Sequence, residues 1–323
     1  YFVWGLGMVS LAKFDEWQSA DGTPVLRFNS GELQVWDGAA WGSAGSIEFQ
    51  YLIIGGGGSG GYWDNGTRSS GSGGGGGYLC NVPGENSGGG DSARAALNLV
   101  PGNYTVTIGA GGAGVSSSRK GNPGSPTSFN DFIAYGGGAG SRQNRIEGVE
   151  GASCGSFGGD LLITTADVVQ PAPISGQGFA GGYGGGYGAY SSGGGGGAGG
   201  VGQDVSGDTP GAGGVGVTSS ITGTAIGRAG GGGGTRTQNN TYASASDGGG
   251  EGIGADGTVN TGGGGTGSEL TFGASGNGGS GVVILKYPDS VTLTIGAGLT
   301  SSTTTSGGYK ITSFTAGTDT VSF

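Results

Sequence analysis

Runs of glycine between positions 55 and 281 constrain this chain more than any other feature of its sequence. Of the 89 Gly in 323 residues, 77 lie in this stretch, in runs such as 55–58, 193–197 and 230–234. Glycine has no side chain to bury, and it loses more backbone entropy on folding than any other residue. A conventional core of packed side chains therefore cannot extend through this part of the chain.

Three kinds of structure are compatible with so much glycine, and the sequence excludes the first. Collagen requires Gly at every third position and abundant Pro, whereas here Gly occurs in runs and there are only nine Pro. A flexible linker is the second possibility. The runs are bracketed, however, by segments typical of β-strands, IEFQYLII at 47–54 and GVVILKY at 281–287.

The third possibility is an ordered bundle of polyglycine II helices. An extended helix of three residues per turn has no internal hydrogen bonds, so its N–H and C=O groups point sideways. Helices made of Gly can approach closely enough to bond backbone to backbone, which satisfies their buried polar groups. We therefore predict an all-β fold with an ordered polyglycine II-type helix bundle, in which short antiparallel strands flank and interrupt the Gly runs.

Further strand and helix signals are sparse. YTVTI at 104–108 and FNDFIAY at 129–135 each predict a strand. DSARAALNL at 91–99 predicts a short helix, capped by Asp91 or Ser92 and ending before Pro101. A second short helix is predicted near 161–169.

The uneven distribution of Gly divides the chain into three predicted segments. Residues 1–46 form an N-terminal attachment segment and a small β meander, with turns at 29–31 and 37–38. The glycine-rich bundle domain spans 47–288. The segment 289–323 is a C-terminal β segment of antiparallel strands, with turns at 288–290 and 316–318. The predicted core of the meander consists of Phe28, Trp36 and Trp41.

The composition argues against catalysis, cofactors and nucleic acid. There is no His, which removes His-based acid–base catalysis and His metal sites. The net charge of −10 offers no basic surface for nucleic acid. No Gly run precedes the helix that a phosphate loop needs. The carboxylate pairs Glu147 with Glu150 and Asp204 with Asp208 are interpreted as solvated loop charges.

We therefore expect no enzyme activity, no catalytic residue, no cofactor and no metal site. No apolar stretch reaches the 18 residues of a membrane span. Cys80 and Cys154 could form a disulfide, but the sequence does not decide whether they pair.

Aromatic and cationic residues in the loops are the best candidates for binding. Tyr offers a large contact area with a polar tip at low entropic cost. Tyrosines among the Gly runs either recognise a ligand or seal the surface of the bundle, and the sequence leaves both open. The candidate receptor-binding residues are Tyr183, Tyr187, Tyr190, Tyr62, Trp63, Arg142, Arg145 and Tyr242.

The segments YLIIGGGGSGG, YTVTIGAGGAG and GGSGVVILKYP, together with the Gly-run body, resemble glycine-rich proteins of tailed phages, namely tail fibres and receptor-binding tip adhesins. DGTPVLRFNSGELQVWDGAAW at 21–41 is similar to a short β segment of phage fibre and virion proteins. The resemblance implies a virion protein, outside the cell, whose variable loops bind a glycan or protein on the host surface. It also implies a homotrimer. The apolar stretch at 1–14 calls for a partner surface, so we expect it to attach the chain to other virion proteins.

Two alternatives remain open at this stage. The chain could be a purely structural virion component, such as a capsid fibre, decoration or fibre-shaft assembly protein. It could also be an extracellular structural protein.

Overall fold

The computed structural model describes residues 16–18, 24–29, 32–36, 41–43, 45–64, 68–142, 151–158, 171–185 and 190–323. These residues form an all-β structure without an α-helix. The predicted attachment segment at 1–14 and the predicted helix at 161–169 lie outside them, as do the side chains of Phe28, Trp36 and Trp41.

Twenty strands follow one another along the described chain. The first ten are β1 Glu16–Gln18, β2 Pro24–Asn29, β3 Glu32–Trp36, β4 Trp41–Ser43, β5 Ile47–Ile54, β6 Tyr62–Trp63, β7 Tyr78–Cys80, β8 Leu97–Leu99, β9 Asn103–Thr107 and β10 Thr127–Phe129. The others are β11 Phe132–Ala134, β12 Val217–Ser219, β13 Ile226–Arg228, β14 Thr235–Arg236, β15 Thr241–Tyr242, β16 Ser268–Glu269, β17 Val282–Pro288, β18 Thr294–Ile295, β19 Leu299–Ser306 and β20 Tyr309–Ser322. Short 3₁₀ turns occupy Gly88–Gly90 and Thr237–Asn239.

A ten-stranded antiparallel sheet forms one end of the molecule. Its main path runs β11-β10-β9-β20-β17-β5-β7, with β8 paired to β5, and β18 and β19 paired to β20. The sheet curls until it is nearly closed, so that Tyr51 on β5 and Phe132 on β11 bring their ring centroids to 4.9 Å. Segments far apart in sequence thus meet in one sheet.

Alternation along β5 buries side chains on both faces of this sheet. Phe49, Tyr51 and Ile53 point into the core inside the curled sheet, together with Leu285 and Phe314. The intervening side chains of β5 pack outside, in a second core that the hairpin of β12 and β13 covers. Its members include Leu52, Ile54, Tyr78, Ile284, Val217 and Ile221. Burial on both faces explains the nearly continuous apolar sequence of β5.

The predicted helix at 91–99 is wrong, because its last residues form β8. Leu97 to Leu99 pair antiparallel with the start of β5. This pairing buries Leu99 in the inner core and packs Leu97 against it. Burial of alternate leucines in a sheet outweighs the weak intrinsic preference for helix.

Two predicted strand and turn assignments also change. FNDFIAY is not one strand but a hairpin, which turns at Asn130, where φ is 50°. The predicted turn at 316–318 is an irregularity within the long strand β20, with Gly317 at φ 95°. The real hairpin turn lies at Gly307 and Gly308, whose φ values of 59° and 81° suit the two-residue turns that match strand twist.

The head of the chain forms a separate four-stranded antiparallel sheet in the order β1-β2-β3-β4. Asn29 pairs with Glu32 where β2 and β3 meet, and Trp36 pairs with Trp41 where β3 and β4 meet; the predicted turn residues 30–31 and 37–38 lie outside the described residues. This pairing confirms the meander prediction. The division of the chain at residues 46 and 288 stays a prediction.

Backbone hydrogen bonds link the Gly runs with a repeat of three residues. In the run 55–61, every third N–H bonds the same neighbouring run at 2.9 Å: Gly55 to Gly77, Gly58 to Gly74 and Gly61 to Gly71. The two intervening series bond two other segments: Gly56 to Ser125 and Ser59 to Asn122, and Gly57 to Gly279 and Gly60 to Gly276. Each third of the run therefore faces a different neighbour.

The run 71–77 lies at the centre of this arrangement. The N–H groups of its glycines donate to the carbonyls of three segments, and its carbonyls accept from three others. The three segments that accept hydrogen bonds from this run contain Tyr135, Gly138 and Ser141, Gly262 and Gly265, and Gly196. The three segments that donate to it are the run 55–61, the segment with Ser153 and Ser156, and the run with Gly232. The N–H of Ser72 donates to Ser156 Oγ, in one of these donating segments. Six neighbours leave no room for side chains, so this run must be almost entirely Gly.

Neither cysteine is in a disulfide, and both are buried. The open question of a disulfide between Cys80 and Cys154 is thus answered: they do not pair.

Candidate functional site

The Gly runs carry their connecting loops to the end remote from the ten-stranded sheet. The run 55–61 leaves β5 and the run 71–77 returns to β7, so residues 62–64 lie at that far end, which we call the loop end. The loop around Ser118 and the loop after β16 reach it in the same way. An antiparallel bridge joins Tyr62 to Arg119, and β6 pairs in parallel with β16.

Trp63 and Arg142, two of the predicted site residues, meet at the loop end. The guanidinium of Arg142 lies 5.7 Å from the centre of the Trp63 ring, in a cation–π arrangement. Both side chains are half-buried, whereas Tyr62 is buried at 4% exposure and serves packing. Trp63 is opposite Glu269 in the β6–β16 pairing. We call Trp63, Arg142, Arg119, Lys120 and Glu269 the Trp63 cluster.

Several polar atoms of the Trp63 cluster lack hydrogen-bond partners among the described residues. They are Trp63 Nε1, Arg142 Nε and Glu269 Oε2, each shielded from water. Native structures leave few such atoms unpaired, because each costs free energy. Their grouping around one indole ring distinguishes this place from the rest of the loop end.

Local hydrogen bonds fix the loops that carry this cluster. Ser118 Oγ donates to Asp64 Oδ1 at 2.5 Å and accepts the N–H of Asp64 at 3.0 Å. Arg142 Nη1 donates to the carbonyl of Ser118 at 3.5 Å. Asp64 is exposed, as are Arg119 and Lys120. The surface around Trp63 therefore presents cations and one engaged carboxylate.

Tyr183 packs rather than standing free. Its ring stacks on the buried Phe157, with centroids 5.6 Å apart and an interplanar angle of 8°. Its backbone N–H is held by Asp204 Oδ1 at 2.7 Å. Tyr190 is half-buried. Asp204 is thus a structural hydrogen-bond acceptor rather than only the solvated loop charge that was predicted.

The remaining site predictions scatter. Tyr242 is 51% exposed on β15, which pairs with β14. Arg236 on β14 forms an ion pair with Asp208 at 3.1 Å, and Asp208 thus has a partner too. Tyr187 and Arg145, like Glu147 and Glu150, lie outside the described residues. Of the predicted residues that the structure describes, only Trp63 and Arg142 are seen in direct side-chain contact with each other.

Sequence reasoning missed several residues of the Trp63 cluster. Arg119 and Lys120 form the only adjacent pair of cations in the chain, a signal that could have drawn attention to this loop. No sequence signal indicates that Glu269 is buried at 1% exposure. Leu270 and Phe272, which follow it, are exposed at 60% and 38%.

The titratable groups with shifted pKa values lie near the sheet, away from the loop end. Burial raises the pKa of the Cys80 thiol to about 12 and also raises the pKa of Tyr78. Burial alone would raise the pKa of Glu85, but hydrogen bonds from Ser219 and Ser220 outweigh it and lower that pKa. These groups sit between the sheet and the β12–β13 hairpin, where they serve structure.

The described residues contain no group of three His, Cys, Asp or Glu placed to hold a metal ion. Within the same part of the chain, no helix has the length and apolar character needed to cross a membrane.

Comparison with protein families identifies the class of this chain. Residues 35–288 match the glycine-rich domain family. The match covers well over half of the chain, and the chain belongs to this family. A comparison with curated proteins gives no match. The family match says nothing of phage tail fibres.

Proposed function

We propose that the Gly runs form a polyglycine II-type bundle, and that this bundle is a rigid scaffold for binding loops. The three-residue repeat of the lateral hydrogen bonds equals the three residues per turn of this helix. The six neighbours of the run 71–77 are those of a hexagonally packed helix. Most of these bonds join backbone groups, and a few serine hydroxyls such as that of Ser72 add to them, so the scaffold holds its loops with few side chains.

On this scaffold the protein acts as a non-enzymatic phage virion fibre or adhesin that binds a receptor on the host surface. The observation that carries the proposal is the Trp63–Arg142 contact, which lies in loops gathered at one end of the runs. Exposed loops on a rigid scaffold are where binding usually resides. Tyr242, exposed on β15 beyond the run 230–234, adds contact area, as do the half-buried rings of Tyr183 and Tyr190.

The resemblance to tail-fibre proteins supports the remaining parts of this proposal. The protein is part of the virion and acts outside the cell. Residues 1–46 attach it to other virion proteins, and a homotrimer presents three loop ends to the host.

A purely structural virion role is the second candidate, and β19 favours it. This strand pairs only with β20 among the described strands, and seven of its eight residues are exposed. It carries no charge and no Pro, the usual means by which edge strands avoid pairing with other chains. A free edge of this kind suits assembly by strand addition.

Binding of purified protein to candidate host cells tests the adhesin proposal. The variant Trp63→Ala/Tyr242→Ala alters the loop end, and Tyr309→Ala, an exposed position near the sheet, is the matched control. We expect saturable binding by the wild type and the control, and at least about tenfold weaker binding by the double variant. Absence of binding by folded wild-type protein would favour the structural role.

A further inference from the structure

We propose that the Trp63 cluster binds an acidic saccharide, a sugar that carries both carboxylate and hydroxyl groups. The inference rests on the proposed adhesin function and names the chemical class of its ligand.

The charges around Trp63 oppose those of the whole protein. The chain has a net charge of −10 and only 12 basic residues. Three of these, Arg119, Lys120 and Arg142, lie in adjoining loops around one indole ring. An acidic protein repels anionic ligands over long distances. Cations gathered on its surface provide the local attraction that an anionic ligand needs.

The unpaired polar atoms narrow the class of ligand. The guanidinium of Arg142 pairs well with a carboxylate, and its Nε–H, like the indole N–H of Trp63, has no partner among the described residues. The unpaired oxygen of Glu269 requires a donor instead. A ligand with carboxylate and hydroxyl groups can accept hydrogen bonds from Arg142 and Trp63 and donate one to Glu269. An anion without a hydrogen-bond donor would be repelled by Glu269.

Access to these atoms requires only local movement. The side chains of Trp63 and Arg142 are half-buried rather than enclosed, and ligand binding on this proposal requires them to rotate so that their donors face the ligand. The indole face then offers the apolar surface on which a sugar ring packs. The exposed Arg119 and Lys120 contribute charge at the edge of the site.

Titration calorimetry with an oligogalacturonate as the probe tests the inference, with a neutral dextran oligomer of equal length for comparison. We expect oligogalacturonate to bind and its affinity to fall as NaCl rises from about 50 to about 200 mM, because salt screens exposed charges. Dextran should bind at least about tenfold more weakly.

Variants assign the binding to the cluster. Arg142→Gln should weaken oligogalacturonate binding about tenfold. Arg142→Lys keeps the charge but loses the paired N–H donors of the guanidinium, and it should weaken binding less. Arg119→Gln/Lys120→Gln changes two exposed side chains, and it should weaken binding and reduce the salt dependence while leaving the midpoint of denaturant unfolding close to its wild-type value. Lys286→Gln on β17, far from the loop end, is the matched control and should leave binding unchanged.

Equal affinity for dextran and oligogalacturonate would overturn the inference, as would an equal loss in the Lys286→Gln control. Competition on host cells separates this result from failure of the adhesin proposal. If cells bind the protein and oligogalacturonate neither binds nor competes, the adhesin role stands and the acidic-saccharide class is wrong. If oligogalacturonate binds but no host cell does, the adhesin proposal fails.

Discussion

The N–H of Gly58 donates to the carbonyl oxygen of Gly74 at 2.9 Å, and Gly74 in turn donates to Gly138 at 2.8 Å. A Cβ placed on Gly74 would overlap the backbone carbonyls of Ser153 and Cys154. Two backbone carbonyls therefore occupy the space that any side chain would need, so the contacts of the run depend on the absence of a Cβ.

Gly74→Ala should consequently destabilise the protein by more than about 3 kcal/mol, because the surrounding backbone cannot move aside. Gly102→Ala is the matched control, since a Cβ there meets its nearest atom at 3.6 Å, and it should change the free energy of unfolding by less than about 1 kcal/mol. Thermal and denaturant unfolding measure both. Equal stabilities would show that the Gly runs tolerate side chains.

The stacking of Tyr183 on Phe157 separates packing from binding. Tyr183→Phe keeps the ring and should leave the free energy of unfolding within about 0.5 kcal/mol of wild type, whereas Tyr183→Ala should lower it by about 2 kcal/mol. Denaturant unfolding measures the difference. A loss of cell binding in Tyr183→Phe at unchanged stability would assign the hydroxyl to receptor contact instead.

The buried thiol of Cys80 should make the protein less stable in alkali. Its pKa is about 12 in the folded protein and about 8.5 in an unfolded chain. Above the unfolded value, the unfolded state loses its proton first, so stability is full below about pH 8.5 and falls as pH rises towards the folded value. We expect a loss of about 2 kcal/mol between about pH 8 and about pH 10.

Cys80→Ala should reduce this alkaline loss, whatever the variant costs at neutral pH. The comparison is between the slopes of unfolding free energy against pH. The Cys80 thiol should also remain unreactive towards a thiol-specific reagent in the native protein and react only after the protein unfolds. Rapid reaction of the folded protein would contradict the burial of both cysteines.

Glu85 should contribute to stability in the opposite pH range. Its Oε1 accepts the N–H of Ser220 at 2.8 Å and the hydroxyl of Ser220 at 2.6 Å, which ties two loops that are 135 residues apart. Because hydrogen bonds lower its folded pKa, this contribution is present above its unfolded pKa of about 4.3 and is lost as pH falls through the folded pKa.

Glu85→Gln should therefore flatten the acid limb of the stability curve, measured by unfolding between about pH 5 and about pH 3. Asp131→Asn, which changes an exposed carboxylate in another turn, is the control. An unchanged acid limb in Glu85→Gln would show that the tie to Ser220 does not form in solution.

The hairpin turn between β19 and β20 should depend on its two glycines. Gly307→Val/Gly308→Val places β-branched residues at positive φ and should unpair the Ser306–Tyr309 end of the hairpin, at a cost of about 2 kcal/mol or more. Gly307→Asn should be tolerated, since Asn adopts this conformation readily. Amide hydrogen exchange of β19 reports the difference. Equal protection in both variants would place the turn elsewhere.

The strands were predictable from sequence where local pattern and tertiary contacts agree. IEFQYLII and the residues of β17 are apolar and β-branched, and they occupy the centre of the sheet. The 91–99 segment misled because its helix cap and its alternating leucines favour different structures, and only the long-range partner β5 decides between them. Turns at Asn130 and at Gly307 depend on φ, which composition alone does not fix.

The candidate site was predictable only in part. Aromatic and cationic residues in the loops indicated Trp63 and Arg142, which do meet. Their pairing depends on which loops the Gly runs bring together, and the runs are too alike to specify their neighbours. The position of Glu269 beside Trp63 could not be predicted for the same reason, because β16 and β6 are about 200 residues apart in sequence.

The three-residue repeat of the lateral hydrogen bonds leaves each run with a choice of equivalent alignments. A run of identical glycines that slid by three residues would recover every bond it lost, so the runs themselves encode no unique alignment. Ser72, whose hydroxyl donates to the carbonyl of Gly233 at 2.7 Å, and Ser156, whose hydroxyl donates to the carbonyl of Gly193 at 2.6 Å, break this equivalence. The few serines within the runs thus fix the alignment of each run with its neighbours. This alignment determines which residues lie in the loops.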